Sequence, residues 1–214
     1  MRPKLMYSSL HNIYDSSSGA AISMRTMLQK MVQRGYEVRT LSSDLFDSEA
    51  YGLNEFLYSL RKSHIEFDVK DLTYSLDGET LDLKRVDYLD SGMFSTSLFV
   101  TRHEFKKTSP IPLKDLLYLR VHYDILNRFL PNAYVTYGGY WVARNAVRLA
   151  KQIGAGTAFF LHNLSYTNRE ILSFFDKVVV PSQFAKRYYE KHLGVRATVI
   201  PPSIDFLKVQ TIDH

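Results

Sequence analysis

The two ends of this chain alternate short apolar runs with amphipathic helical patterns. Strand-like runs at 5–7 and 36–41 flank a stretch in which apolar residues recur at helical spacing, namely Met24, Met27, Leu28, Met31 and Val32. Ser18 is placed to cap the start of this helix, and Gly35 to follow its end. The pattern predicts a βαβ unit with two parallel strands and a right-handed crossover.

The same alternation returns after Pro112. It predicts a long helix at 113–130 and strands at 133–137, 157–161, 177–180 and 198–201. Two further helices are predicted, one that Gly138-Gly139 opens and Gly154 closes, and one at 182–193. The run from Val178 to Val180 is typical of a parallel strand buried on both faces. We therefore expect an α/β fold with a doubly wound, mostly parallel, Rossmann-like sheet of about six or seven strands and helices on both faces.

The middle of the chain, between residues 44 and 112, is less regular. A helix is predicted at 53–60, and a polar–apolar alternation at 72–89 surrounds Asp77-Gly78, a favourable hairpin turn. A further strand is predicted at 97–105. We expect this region to form an antiparallel hairpin decoration on the main sheet.

Composition and motifs exclude several chemistries. The chain of 214 residues contains no cysteine, so disulfides, thiolate catalysis and cysteine metal sites are ruled out. It lacks a P-loop, a Gly-x-Ser-x-Gly elbow, a second histidine at zincin spacing after His103-Glu104, and the glycine pattern of dinucleotide binders. No apolar run approaches the roughly 18 residues of a membrane span, and the amino terminus shows no secretory signal, so a cytoplasmic location is expected. The net charge of +5 is compatible with peripheral contact at the inner, anionic face of a membrane.

Ligands of doubly wound sheets bind at the carboxyl ends of the strands. The residues that follow the predicted strands are mostly hydroxyls, amides, aromatics and glycines, a mixture that suits a neutral polyhydroxylated ligand better than a metal or a nucleic acid. The candidates for binding a sugar or an acceptor are His11, Asn12, Tyr140, Trp141, His162, Asn163 and Ser182. Structural roles compete with several of these: Ser18-Gly19 can be a helix cap or an anion site, His162 can be a hydrogen-bonded strand-end residue, and Tyr140 and Trp141 can simply pack.

Three segments in order resemble family-four retaining glycosyltransferases of the GT-B fold. Residues 18–23 with Arg34-Gly35-Tyr36-Glu37-Val38 resemble that family's first βαβ unit, and Phe160-Leu161-His162-Asn163 resembles its strand ending in His-Asn or His-Asp. Residues 176–184, 194–195 and 199–205 resemble the stretch that leads into its interdomain linker. The match departs from the family in two places, since Ala20 replaces the second glycine of a Gly-Gly pair and Pro202-Ser203 replaces Asn-Gly.

This resemblance implies a division of the chain and a set of site residues. Residues 1–205 would be the amino-terminal, acceptor-side domain and residues 206–214 the start of the linker, with the carboxyl-terminal donor-binding domain absent. His162 would be the catalytic contact to the donor sugar. Gly19 and Ala20 would present backbone N–H groups to the donor phosphates, while Tyr140, Trp141 and the loop from His11 would shape the acceptor pocket.

The implied activity is transfer of a sugar from a nucleotide-sugar donor to a carbohydrate or lipid-linked acceptor, with retention of configuration. The nucleotide sugar is a substrate, and neither a metal nor another cofactor is expected. The chain alone is expected to be inactive, because catalysis needs donor and acceptor held together in one closed cleft. The alternatives are a stand-alone carbohydrate- or nucleotide-binding module, or a Rossmann-like partner subunit without catalysis.

Overall fold

The computed structural model describes residues 2–104, 112–138 and 141–202. The nine strands within these ranges are β1 (Lys4–Ser8), β2 (Glu37–Ser42), β3 (Phe67–Leu76), β4 (Glu79–Asp90), β5 (Met93–Glu104), β6 (Ala133–Thr136), β7 (Gly156–Phe160), β8 (Lys177–Val180) and β9 (Ala197–Val199). The helices are α1 (Gly19–Gln33), α2 (Leu53–Lys62), α3 (Leu113–Phe129), α4 (Trp141–Gln152), α5 (Arg169–Leu172) and α6 (Gln183–Leu193). The expected linker at 206–214 lies outside the described residues.

All nine strands belong to one sheet in the order β3-β4-β5-β2-β1-β6-β7-β8-β9. The pairs from β5–β2 through β8–β9 are parallel, whereas β3–β4 and β4–β5 are antiparallel. The α/β class and the mostly parallel sheet with an antiparallel portion are confirmed. The expected count of six or seven strands is too low, because the middle of the chain contributes three long strands.

The antiparallel extension is built by two turns of the same kind. Asp77 and Gly78 have φ values of 50° and 77°, and Ser91 and Gly92 have values of 50° and 83°, as two-residue hairpin turns require. The sequence prediction identified the first turn but not the second, so the predicted strand at 97–105 begins too late. A Cβ on Gly92 would come within 2.8 Å of Val32 on α1, so glycine is also needed there for close packing.

Helices cover both faces of the sheet, as predicted. On one face, α1 packs Met24 and Leu28 against Leu5 and Tyr7 of β1, and α2 packs on β4 and β5 farther along the same face. The other face, which carries Met6 of β1, is covered by α3, α4, α5 and α6. Because neighbouring residues of a strand point to opposite faces, the short apolar runs can supply both layers of the core. None of the helices in the described part of the chain has the combined length and apolarity of a membrane span.

A buried histidine joins α3 to α4. The His122 side chain is fully buried, its Nε2 donates to the Ala146 carbonyl oxygen at 3.2 Å, and its Nδ1 has no partner. Its ring also packs edge-on against Tyr134, with centroids 5.4 Å apart. Burial lowers the pKa of His122 to about 4. The imidazole is therefore neutral at pH 7. Acidification must place a charge on this fully buried group.

This pKa predicts a loss of stability on mild acidification. Between pH 6.5 and 4 the unfolded chain binds a proton that the folded chain does not, so the free energy of unfolding falls as the pH is lowered through this window. The contribution of His122 at pH 5 is about 2 kcal/mol. Denaturant unfolding from pH 7.5 to 5 should show a shallower pH slope for His122→Gln than for the unchanged chain. The exposed control His192→Gln should keep the original slope, and equal slopes for all three proteins would contradict the assignment.

Candidate functional site

A cleft opens at the carboxyl edge of β1, β6 and β7. Its cavity volume is ≈ 430 Å³, and we call it the edge cleft. The predicted residues that line it are His11, Ser18, Ala20, His162 and Asn163. Parallel strands bring these distant segments together because their carboxyl ends share one edge of the sheet. Its described lining contains no lysine or arginine.

The amino terminus of α1 borders the edge cleft. Ser18 is the N-cap, and its hydroxyl accepts from the Ala21 backbone N–H at 3.5 Å. A Cβ built on Gly19 would meet no atom within 4 Å, so the first turn of the helix is open to an approaching group. Backbone N–H groups and the positive end of the helix dipole make such a turn suitable for an anion such as a phosphate. Of the two roles expected for Ser18-Gly19, the helix cap is present, and the anion site stays a prediction.

A buried carboxylate fixes the loop that precedes α1. The Asp15 side chain has no exposed surface; its Oδ1 accepts from the Ser17 N–H at 2.8 Å and from the Ser17 hydroxyl at 2.6 Å. Its Oδ2 accepts from the Asp47 N–H at 2.7 Å. Three short bonds compensate the burial of the charge and tie the loop after β1 to the loop after β2. The position of the open helix end therefore depends on Asp15.

Aromatic rings form the inner wall of the edge cleft. The His11 ring stacks on Tyr137 with centroids 5.5 Å apart, and Tyr137 meets the His162 ring edge-on at 5.4 Å. Phe160 stacks on the other side of His162 at 6.2 Å. The wall is rigid because each ring is packed by its neighbours, and it offers flat apolar surfaces of the kind that pack against sugar rings.

His162 carries the only buried side-chain nitrogen of the described edge-cleft lining that has no interaction partner at all. Its Nε2 is buried and unpartnered, and burial alone lowers its pKa to about 4. The side chain is thus a neutral imidazole at pH 7, able to give or take one hydrogen bond. An unmade hydrogen bond at a buried polar atom is costly, which favours a ligand as its partner.

His11 differs from His162 because two carboxylates surround it. Its Nδ1 lies 3.6 Å from an Asp47 carboxylate oxygen. Burial lowers the pKa of His11, while the charges of Asp47 and Asp15 raise it and oppose that effect. His11 therefore lies in a more polar part of the cleft than His162.

The structure places the other predicted residues in different settings. Asn12 is fully buried; its amide donates to the Ser43 carbonyl oxygen and its Oδ1 accepts from the Tyr14 N–H. Asn12 therefore shapes the loop and has no exposed surface with which to contact a ligand. Ser182 caps α6 by accepting from the Ala185 N–H at 3.1 Å and does not line the edge cleft.

The remaining predicted site residues are Trp141, Tyr140 and Asn163. Trp141 donates its Nε1–H to Asp115 at 3.0 Å and lines a different cleft, beside α3. Tyr140 lies outside the described residues. Asn163 lines the edge cleft, and its Oδ1 accepts from the Ser165 N–H and hydroxyl in a turn.

The sequence analysis missed Tyr137 and Asp47 as cleft residues. Tyr137 is the last residue of the predicted strand at 133–137. This position at the carboxyl end of the strand already indicated that Tyr137 could line a cleft there. Asp47 lies five residues after β2, and no local pattern in the sequence indicates that it folds back to His11. Its position depends on the bond between its backbone N–H and Asp15.

Several solved structures are similar in fold to this chain. The catalytic domain of starch synthase IV from Arabidopsis thaliana, bound to ADP and acarbose, matches with a TM-score of 0.56 and 11% identity, over 97% of this chain and 52% of that one. TarM matches with a TM-score of 0.47 and 8% identity, over 96% of this chain and 62% of that one. The E. coli trehalose-6-phosphate protein bound with UDP-2-fluoro glucose matches with a TM-score of 0.45 and 12% identity, over 96% of this chain and 50% of that one.

The match to the starch synthase domain shows the fold of this chain and how much of that domain it spans. The chain has the GT-B type of Rossmann-like domain, and it spans 52% of the starch synthase domain. No protein-family model and no curated protein sequence matches the chain.

Replacing the buried Asp15 carboxylate by an amide should destabilise the fold. In Asp15→Asn, the new NH₂ group cannot accept from the Asp47 N–H, so a buried donor is left unpaired and the free energy of unfolding should fall by about 1–3 kcal/mol. Thermal or denaturant unfolding measures this change. The same substitution at Asp68, whose side chain is 64% exposed, serves as the control and should leave stability nearly unchanged. If Asp15→Asn lowers the free energy of unfolding no more than Asp68→Asn does, the three hydrogen bonds do not hold the loop.

Proposed function

We propose that this chain is the amino-terminal, acceptor-side half of a retaining glycosyltransferase that uses a nucleotide-sugar donor. The observation that carries the proposal is the juxtaposition of the buried, unpartnered Nε2 of His162 with the open amino terminus of α1 in one cleft at the carboxyl edge of the sheet. The fold supports it, since solved structures of the same fold are glycosyltransferases. The proposal includes membership of glycosyltransferase family four and retention of the anomeric configuration.

The donor phosphates are assigned to the first turn of α1. Gly19 leaves the approach to the helix end open. The backbone N–H groups of Gly19 and Ala20 would donate to the phosphate oxygens, and the positive end of the helix dipole would add a favourable electrostatic interaction. The side chain of Ala20 narrows this approach compared with a second glycine. Because no lysine or arginine lines the described edge cleft, the cationic groups that neutralise a diphosphate belong to a second domain in this proposal.

His162 is assigned to the donor sugar. As a neutral imidazole it can hydrogen-bond a sugar hydroxyl without placing a positive charge beside the developing oxocarbenium ion. Such a contact accelerates the reaction when it is stronger in the transition state than in the ground state. Phe160 and Tyr137 keep the ring in one orientation.

The reaction is a substitution at the anomeric carbon. The acceptor hydroxyl forms the new C–O bond on the face from which the nucleoside diphosphate departs, and the leaving phosphate oxygen takes the hydroxyl proton. In this proposal the route needs no protein base and no metal. The acceptor is a carbohydrate or a lipid-linked molecule that reaches the cleft beside His11 and Asn163, at the cytoplasmic side of a membrane in the lipid-linked case.

A comparison of the chain with a two-domain form tests the proposal. The 214-residue chain should bind UDP-glucose and ADP-glucose weakly in calorimetry and should transfer no sugar, because it supplies one wall of the site. The protein that carries a following Rossmann-like domain should turn over, and NMR of the product anomeric proton should show retention. Turnover by the 214-residue chain alone would overturn the assignment as half of a site. Saturable sugar binding without transfer in the two-domain form would instead establish a non-catalytic binding module.

The assignment of His162 predicts a kinetic defect in the two-domain enzyme. His162→Ala should lower kcat by roughly 10- to 1000-fold, because one polar contact to the transition state is lost. The free energy of unfolding of the same variant should fall only modestly, since the ring loses its packing against Tyr137 and Phe160 but Nε2 had no hydrogen-bond partner in the fold. His192→Ala, which alters an exposed histidine of α6, should leave both quantities unchanged. A destabilised His162→Ala protein whose folded fraction keeps full kcat would remove His162 from the catalytic site.

A further inference from the structure

A second polar cleft lies between α1 and α2, on the face of the sheet that these helices cover. Its cavity volume is ≈ 430 Å³, and we call it the side cleft. The residues used below are Arg25, Gln29, Tyr51, Ser59, Lys62 and Asp90. It shares no lining residue with the edge cleft, but both border the same loop: Tyr14 and Ser16 face the side cleft, and Ser18 faces the edge cleft.

Arg25 is held over an aromatic ring rather than by a carboxylate. Its guanidinium carbon lies 4.5 Å from the centre of the Tyr14 ring. Tyr14 is itself wedged edge-on against Phe56 and Tyr88, with centroids 6.0 Å apart in each case. Within the described part of the chain, Arg25 forms no ion pair. A positioned guanidinium whose donors are not taken up by a carboxylate is suited to binding an oxyanion.

The charge balance of the side cleft is positive. Lys62 is a second cation on its wall, and no described acidic side chain pairs with it. The one carboxylate in the lining, Asp90, is nearly buried and accepts from the Ser91 hydroxyl at 2.9 Å. Two cations therefore face one internally bonded anion. The cleft beside α3 has the opposite balance, with Lys114 against Asp44 and Asp115.

Neutral polar groups line the rest of the side cleft. The Tyr51 hydroxyl lies 2.9 Å from that of Ser59, and the Ser16 hydroxyl donates to Tyr51 at 3.5 Å. Gln29 makes only long hydrogen bonds, 3.4 Å to Asp90 and 3.3 Å to Ser91, so its amide can be redirected to a ligand at little cost. Hydroxyl and amide groups beside a fixed cation are complementary to a polyol that carries an anionic group.

We infer that the side cleft binds a small phosphorylated polyol, with Arg25 and Lys62 on the phosphate and Gln29, Tyr51 and Ser59 on the hydroxyls. The inference goes beyond the proposed function and does not depend on it, because none of these residues lies in the edge cleft. The ligand is a separate effector, because the proposed function places the acceptor in the edge cleft. Its binding would act on the edge cleft through the loop that Asp15 holds, since this loop borders both clefts.

Calorimetry on the 214-residue chain tests the side cleft, with ribose 5-phosphate, ribose and inorganic phosphate as probes. Ribose 5-phosphate should bind more tightly than phosphate, ribose should not bind measurably, and added salt should weaken the binding. Arg25→Gln and Lys62→Gln should each weaken it by about tenfold, as expected for the loss of one charge-assisted hydrogen bond. Lys30→Gln, an exposed charge removal elsewhere on α1, is the matched control and should have no effect. Thermal unfolding of each variant separates loss of binding from loss of the Arg25–Tyr14 contact.

Three results would overturn the inference: no binding of ribose 5-phosphate, equal binding of ribose, or binding that Arg25→Gln and Lys62→Gln leave intact. His162→Ala should not change ribose 5-phosphate binding, so the failure of this site and the failure of the proposed transfer reaction are distinguishable. In the two-domain enzyme, a change in transfer rate without incorporation of labelled sugar into the phosphorylated polyol is the result expected of an effector. Incorporation of the labelled sugar would contradict that role.

Discussion

Strand β1 is the element on which both clefts depend. It pairs in parallel with β2 on one side and with β6 on the other, with Leu5 opposite both Val38 and Ala133. Because the three strands run in one direction, their carboxyl ends open at one edge, and the loops that follow them meet there. The loop after β1 then turns into α1, which carries one wall of each cleft.

The loop after β1 is stabilised by buried polar groups rather than by apolar packing. Asn12 and Asp15 are both fully buried, and their side chains bond to Tyr14 and Ser17 of the same loop and to Ser43 and Asp47 of the loop after β2. Hydrogen bonds fix direction as well as distance, so they hold an irregular backbone in one conformation more specifically than apolar contacts do. In contrast, His122 Nδ1 and His162 Nε2 are buried without a hydrogen-bond partner, and burial lowers the pKa of each histidine to about 4. One of these histidines joins two helices and the other lines the edge cleft, so burial lowers the histidine pKa in two different settings.

The regular part of the fold was predictable because its signals are local. The apolar run at 177–180, the helical spacing of Met24 and Leu28, and the turn at Asp77-Gly78 each depend on neighbours in the sequence. The turn at Ser91-Gly92 was missed, although its backbone matches that of the first turn. A serine before glycine is a weaker turn signal than an aspartate, and the contact of Gly92 with Val32 of α1 joins segments far apart in the chain.

The sequence by itself determined the α/β class, most of the strands and helices at the two ends of the chain, and the candidates at the strand ends, including Ser18, Gly19 and His162. These follow from periodicity, capping and the rule that parallel strands expose their carboxyl ends together. Only the tertiary structure decided that Asn12 is buried, that Trp141 faces another cleft, that Asp47 meets His11, and that Arg25 has no ion-pair partner among the described residues. The reason is physical: burial, pKa and charge pairing depend on atoms that the fold brings together from distant segments, and no local pattern in the sequence encodes those distances.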